Sequence, residues 1–287
     1  MGDEKYKVGV GVITCNRPEY LYNLLNSIRP SCAVDELVVV NDGENIPGPS
    51  FTSPCPCTYL KNATNLGVGK SKNRAIQHLL DEGCDYIFII EDDTIVLDEL
   101  IFDRYIQASK ETGIQHFNFG PGTPFNRKQE IANYDLHNRH LLDNKSKPNP
   151  KITIEYPNNV KIDLYEHVAG VFSFFTKEIL QSVGLHDDRF YNAWEHVDHT
   201  LRIIKAGGHP PFWWFADIHD SVKYLSIPSD SIDKSTTSNN QEEWFKNINA
   251  GREIYYNIHG FYPNMCPHTS KEDVIKALKT IKTNKQI

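Results

Sequence analysis

The strongest constraint on the fold is an alternation of strand and helix signals over the first 112 residues. Lys7 to Ile13 (KVGVGVI) is a continuous apolar run of the kind a buried strand needs, and Pro18 to Ile28 follows with helical spacing and a proline near its start. Glu36 to Val40 (ELVVV) reads as a second strand, closed by the turn residues Asn41-Asp42-Gly43. A Pro/Ser/Cys-rich loop leads to a short third strand, Thr58 to Lys61, and Lys70 to Glu82 has the spacing of an amphipathic helix. Tyr86 to Ile90 is a fourth strand, and Leu97 to Thr112 is helical again. Such alternation predicts an α/β fold, a mostly parallel sheet flanked by helices on both faces. Ligands of such sheets sit at the carboxyl ends of the strands, where Thr14 to Arg17, Asn41 to Gly43 and Glu91 to Asp93 all fall.

Residues 113 to 165 are less regular, with a polar, Pro/Asn-rich stretch at 143 to 159. Order returns over 168 to 215, with the apolar run VAGVFSFFT and a helix around 194 to 207. From residue 228, SDSIDKSTTSNNQ reads as a linker, followed by helices over Glu242 to Ile258 and Lys271 to Lys282. The chain carries no internal repeat.

At 287 residues, 39% hydrophobic and 23% charged, the composition is that of a globular protein with a sizeable core. A formal net charge of −7 disfavours non-specific nucleic-acid or anionic-membrane binding, and no run is apolar enough to span a bilayer. The charged N-terminus does not read as a secretory signal. A cytoplasmic protein is expected, with peripheral membrane attachment left open. The six cysteines (Cys15, Cys32, Cys55, Cys57, Cys84 and Cys266) match no zinc spacing and read as reduced thiols.

Chemistry concentrates at YIFIIEDDTIV, residues 86 to 96, where a strand runs into Glu91, Asp92 and Asp93. Adjacent carboxylates repel and resist desolvation, so they are relieved either by Lys/Arg pairing or by a hard cation such as Mg²⁺ or Mn²⁺. A solvated acidic turn is the plainer alternative. Thr14, Asn16 and Arg17 follow the first strand and precede a helix, a place suited to a nucleotide. Asp42 is either a turn residue or an acceptor for the N3–H of a uracil ring. Asn65 to Asn73 puts glycines and lysines at a helix start, as an anion-binding turn does, but without the spacing of a phosphate loop.

The set TCNRPEYL, VVVNDG, NLGVGKSKNRAI, FIIEDDTIV and WEHVDHTLRIIKAG, in that order, resembles the family 2 glycosyltransferases of the GT-A fold over roughly residues 7 to 225. The resemblance implies a GT-A domain over 1–225, its nucleotide-binding half about 1–112 and its acceptor half about 113–225. Residues 226–287 would then form a linker and a C-terminal helical extension. It also implies an inverting transfer from a UDP-sugar to an acceptor hydroxyl, of the hexosyltransferase type, with Mn²⁺ or Mg²⁺ assistance. By position, Thr14, Asn16, Arg17, Asp42, Asn65, Gly67, Lys72 and Asn73 match the nucleotide-binding segments. Lys72 stands where an arginine is common. Glu91-x-Asp93 matches the D-x-D motif, which makes Asp93 the metal ligand, Asp92 its support and Glu91 a contact for ribose or metal-bound water.

Trp194-Glu195-His196-Val197-Asp198 resembles the segment whose carboxylate deprotonates the acceptor. Here His196 stands at the usual base position, so Glu195, His196 and Asp198 all remain candidates, Glu195 first. His219 matches a histidine that completes the metal site in related enzymes. Trp194, Trp213 and Trp214 are candidates for a sugar-stacking platform or for the core. Two rivals stand beside the transferase: a non-catalytic nucleotide or carbohydrate module on a degenerate fold, and a sugar nucleotidyltransferase. Neither the donor sugar, the acceptor nor the oligomeric state can be read from the sequence.

Overall fold

The computed structural model describes residues 6–44, 46, 55–133, 135, 137, 141–143, 145–231, 234–236, 240–263 and 269–284. Strand β1 (Val8–Thr14) is buried along its whole length because β2 (Glu36–Asn41) and β4 (Tyr86–Glu91) pair with it in parallel on either side. With β3 (Cys57–Lys61), β9 (Phe172–Thr176) and β6 (His116–Asn118) they form a six-stranded sheet in the order β3-β2-β1-β4-β9-β6. The first four strands are parallel, and β9 runs antiparallel to both β4 and β6. The sheet is therefore mixed and mostly parallel, the architecture of the GT-A fold. Strand β5 (Ile95–Val96) pairs with β11 (Leu225–Ser226), and β7 (Ile152–Glu155), β8 (Lys161–Tyr165) and β10 (Phe215–Ile218) make a second, antiparallel sheet.

The alternating valines and glycines of β1 explain the layering, since successive residues of a strand point to opposite faces. Val8, Val10 and Val12 join a core with α1 (Pro18–Ser27) and α3 (Ile101–Thr112). Gly9 and Gly11 face α2 (Val68–Asp81), where an added Cβ would lie 2.7 Å from Cys84 Sγ or 2.8 Å from Ala75 Cβ. The missing side chains let α2 close on the sheet, together with α4 (Lys177–Val183) and Ile203 of α5 (Glu195–Lys205).

The C-terminal helices are integral to this core. Val274, Leu278 and Ile281 of α7 (Lys271–Asn284) are buried with the α1–α3 layer, and Tyr255 of α6 (Gln241–His259) packs with Val197 and Leu201 of α5. Two tryptophans considered for sugar stacking serve this docking instead: the indole of Trp194 donates to Ile248 O at 3.0 Å and that of Trp214 to Thr269 O at 2.8 Å. Trp213 packs against Phe212 and Phe215. The irregular stretch 113–165 holds β6, β7 and β8, and the helix expected from Leu97 begins at Ile101 because Ile95 and Val96 first pair with β11. Cys15, Cys32 and Cys84 are free thiols, and Cys266 lies outside the described residues. Among the described residues no helix is long and apolar enough to cross a membrane.

Four histidines, His116, His186, His199 and His209, are buried behind β9, with His116 stacked on Phe175 at 4.5 Å and the His186 and His199 rings in tilted contact at 4.3 Å. Burial lowers the pKa of each. His209 is held neutral by geometry as well, donating from Nδ1 to Pro210 O at 2.8 Å and accepting the Ala216 N–H at Nε2, 3.3 Å away. Its pKa falls to about 4, so the stability it contributes is present above the unfolded value near 6.5 and is lost as pH falls toward 4. A His209→Gln variant does not carry that loss. The stability gap between wild type and variant, measured by guanidinium unfolding, should shrink by about 2 kcal/mol between about pH 6.5 and about pH 5.

Candidate active site at the ends of β1 and β4

The chain adds β2 and β3 on one side of β1 and β4 on the other, so the loops leaving β1 and β4 diverge and open a crevice at their carboxyl ends. Ile13 lies opposite Glu91, and Asp92 N–H donates to Ile13 O at 3.1 Å. Glu91, Asp92 and Asp93 therefore meet the turn Thr14–Arg17. Thr14 Oγ1 donates to Asp92 Oδ2 at 2.7 Å, and the Arg17 guanidinium bridges Asp92 Oδ1 and Asp93 Oδ2, the latter at 3.3 Å. Burial pushes the Asp92 carboxyl up to about 7 and that of Asp93 up to about 6, against the pull of Arg17. Among the described residues, Asp93 Oδ1 is buried without a hydrogen-bond partner.

Glu91 turns to the opposite side, where its Oε1 lies 2.9 Å from Lys72 Nζ. Lys72 also lies 3.1 Å from Glu195 Oε1 and donates to Gly170 O at 2.9 Å. Its side chain is only 2% exposed. Burial opposes its charge, but the two carboxylates outweigh burial and raise its pKa. For Glu195 burial acts upward, and Lys72 and His196 overcome it, holding the carboxyl well below its usual range. His196 Nδ1 lies 3.1 Å from Glu195 Oε1.

Thr14, Arg17, Asp42, Asn65, Glu91, Asp92 and Asp93 line one cleft of about 100 Å³, together with Cys15, Asn192, Ser235 and Thr236. Glu91, Asp93 and Ser235 also border a neighbouring compartment of about 170 Å³, formed with Thr123, Phe125, Ala169, Val171, Ile227 and Ser231. Asp42 pins the next loop: Oδ1 accepts from Asn62 Nδ2 and Leu66 N–H, and Oδ2 from Gly67 N–H, at 2.6 to 2.8 Å. Gly67, with φ of +85°, starts α2 at that point, where a side chain would collide with the Tyr191 carbonyl.

Other expected residues lie elsewhere. Asn16 has left-handed backbone and locks the first turn to the second by accepting the Glu44 N–H at 2.6 Å. Lys72 and Asn73 do not line the cleft. Lys72 is sealed between its two carboxylates, and Asn73 joins α2 to the loop before α5 through His186 and Asp188. Asp198 is 1% exposed, with Oδ2 taken by Arg202 at 3.0 Å and Oδ1 by His259 at 2.8 Å, so it anchors α6 rather than facing the cleft. His219 does not join Asp93. Its Nδ1 bonds Asp163 at 3.0 Å, in a separate pocket with Arg104, Lys161 and Tyr224.

Sequence reasoning missed Asn192, Phe125 and the serines and threonine at 231–236. Asn192 Oδ1 accepts the Val68 N–H at 3.1 Å, filling the cap position that Gly67 leaves without a side chain. Ser231, Ser235 and Thr236, within the stretch read as a linker, border the two compartments, and Tyr20 OH donates to the neighbouring Asp230 at 2.7 Å. A Ser/Thr-rich composition resembles that of a linker, and such long-range contacts distinguish the two.

Among the described residues, no group of three or more His, Cys, Asp or Glu side chains is arranged as a metal site. The donor set still fits an Mg²⁺-type ion, which takes one or two protein carboxylates and completes its shell with substrate phosphates and water. The unpartnered Asp93 Oδ1 is the oxygen that such an ion would satisfy.

Comparison with known proteins agrees with this geometry. The sequence model of glycosyl transferase family 2 matches residues 10–183, which include β1, the acidic end of β4 and the strands between. An uncharacterized glycosyltransferase, R363 of Acanthamoeba polyphaga mimivirus, is 24% identical over 250 residues, covering 82% of this chain and 86% of its own length.

Arg17→Met would leave Asp92 and Asp93 buried beside each other without their cation. The expected cost is about 3 kcal/mol in urea unfolding near neutral pH. The deficit should be smaller at mildly acidic pH, where protonation relieves the unpaired carboxylates.

Proposed function

The chain belongs to glycosyl transferase family 2, and from that premise we propose that it moves a sugar from a UDP-sugar to an acceptor hydroxyl with inversion at the anomeric carbon. The observation that carries this reading is the meeting of Asp93, with its unpartnered buried oxygen, and Asp42 in one cleft at the switch point of the sheet. A carboxylate offers about four acceptor sites, and Asp42 uses three of them internally. One remains on Oδ2 for the N3–H of a uracil ring. Thr14 and Arg17 form the floor beside it.

Asp93, with Asp92 behind it, would hold a divalent ion. Such an ion, when bound, supplies positive charge to the departing diphosphate. Arg17 already carries a fixed positive charge in the same cleft and costs no reorganisation during the reaction. The neighbouring compartment, sharing Glu91 and Asp93 with the donor cleft, receives the acceptor. The Glu195–His196 pair, behind the Ala169–Val171 wall of that compartment, takes the acceptor proton. The acceptor oxygen then bonds to the anomeric carbon as the bond to the diphosphate breaks on the opposite face.

A panel of nucleotide sugars, incubated with Mn²⁺ and assayed for nucleoside diphosphate, tests the proposal directly. UDP release is expected from at least one UDP-sugar. Asp93→Ala should lower kcat/KM at least about 100-fold, the scale seen when one electrostatic stabiliser is removed. A wild-type protein that binds UDP yet releases none from any donor would be a binding module. Pyrophosphate release in place of UDP would mark a nucleotidyltransferase. Saturating UDP with Mn²⁺ should also raise the melting temperature of the wild type more than that of Asp93→Ala.

A further inference from the structure

A chain of charges, Glu91–Lys72–Glu195–His196, runs from the donor cleft to the helix that carries the acceptor base. Resting on the transferase reading above, we propose that His196 Nε2 is the atom that takes the acceptor proton. Glu195 and Lys72 are its positioning residues: Lys72 ion-pairs Glu195, and Glu195 fixes the imidazole as its Nδ1–H tautomer.

The tautomer follows from hydrogen-bond chemistry. Glu195 is 4% exposed, and its Oε1 lies against the Lys72 ammonium, so it is a carboxylate and can only accept. His196 Nδ1, 3.1 Å from that same oxygen, must therefore be the donor. A neutral imidazole protonated at Nδ1 has its lone pair on Nε2. Among the described residues Nε2 has no hydrogen-bond partner, and it is not among the buried unsatisfied atoms, so it is open to solvent. Glu195 is the poorer base by the same facts, being nearly inaccessible and held ionised by a cation.

Gly170 makes this arrangement possible. A Cβ there would lie 2.5 Å from Lys72 Nζ and 3.3 Å from His196 Nδ1, so only glycine lets the loop pass over the network. Its neighbours Ala169 and Val171 line the compartment that also contains Glu91 and Asp93. Gly170, whose Cβ position lies 3.3 Å from Nδ1, thus sits between these two lining residues and beside the imidazole. The charged or titratable groups set against it are Glu195 on its own helix, Lys72 from α2 and Glu91 from β4 beyond Lys72. His116 from β6, held neutral, lies within electrostatic reach.

In the step itself the acceptor O–H proton passes to Nε2, and the oxygen lone pair forms the glycosidic bond. The anomeric C–O bond breaks, its electron pair leaving on the nucleoside diphosphate. His196 then returns its proton to water. The Glu195 carboxylate, 3.1 Å from Nδ1, keeps the ring oriented and faces the imidazolium formed in between.

Long-range ¹H–¹⁵N correlation of the imidazole rings, with His196 assigned by the signal lost in His196→Asp, reads the tautomer without any need for turnover. The expected wild-type pattern is protonated Nδ1 and unprotonated Nε2 at mildly alkaline pH. Glu195→Leu, which removes the acceptor, should convert it to a mixture containing the Nε2–H form, and Lys72→Met should weaken it in the same direction while Lys72→Arg preserves it. An Nε2–H tautomer in the wild type, or a pattern unchanged in Glu195→Leu, overturns the proposal. On an active donor–acceptor pair, the acid limb of kcat/KM should move to lower pH in His196→Asp, where a carboxylate replaces the imidazole. An acid limb that stays in place overturns the base assignment. Absence of turnover in the wild type would overturn the transferase reading, and the ring spectra would still decide the tautomer.

Discussion

A lysine ammonium can stay charged in a protein interior only if carboxylates stay close to it, and Lys72 meets that condition by joining parts of the chain that are distant in sequence. It draws Glu91 at the end of β4, Glu195 at the start of α5 and the Gly170 carbonyl onto one atom of α2. Removing one partner of such a buried set typically costs 3–5 kcal/mol, on the order of a third or more of a domain's stability. The two compartments of the candidate site keep their relative position because this cation sits behind both. Asn73, next in the chain, reinforces it by binding the loop that leads into α5.

Arg17 does the corresponding work on the cleft side. Three adjacent carboxylates at a buried strand end would repel one another, and the fold divides them between two cations, Asp92 and Asp93 to Arg17 and Glu91 to Lys72. The division follows the end of the strand: Glu91 is the last residue of β4 and meets Lys72 of α2, whereas Asp92 and Asp93 lie in the turn beyond it and meet Arg17. Among the described residues Asp93 retains one buried oxygen without a hydrogen-bond partner. The C-terminal region completes the enclosure from a distance. Tyr20 holds Asp230, His259 holds Asp198 and α7 fills the core beneath α1 and α3.

Local pattern carried much of this. The KVGVGVI run is buried on both faces, so its strand character was legible, whereas the close approach of α2 over Gly9 and Gly11 emerged only with the fold. The nucleotide-side residues Thr14, Arg17, Asp42, Asn65 and Glu91 to Asp93 do converge, because the ends of parallel strands bring successive turns together. Strands β6 to β8 were illegible: β6 is three residues long, and β7 lies in a Pro/Asn-rich stretch with an exposed face. Such strands form because a neighbouring strand offers hydrogen bonds, a fact about the partner rather than about the segment.

The sequence by itself determined the alternating α/β order, the family and the cluster of acidic and polar residues at the strand ends. These depend on residue spacing and side-chain periodicity, which are local. Only the tertiary structure decided which charged side chain faces which. It took Lys72 and Asp198 out of the cleft, paired His219 with Asp163 in another pocket, brought Ser231, Ser235 and Thr236 back to the site and set Glu195 against His196. Each of those outcomes rests on contacts between residues far apart in the chain, and a charge's role depends on the partner it meets there.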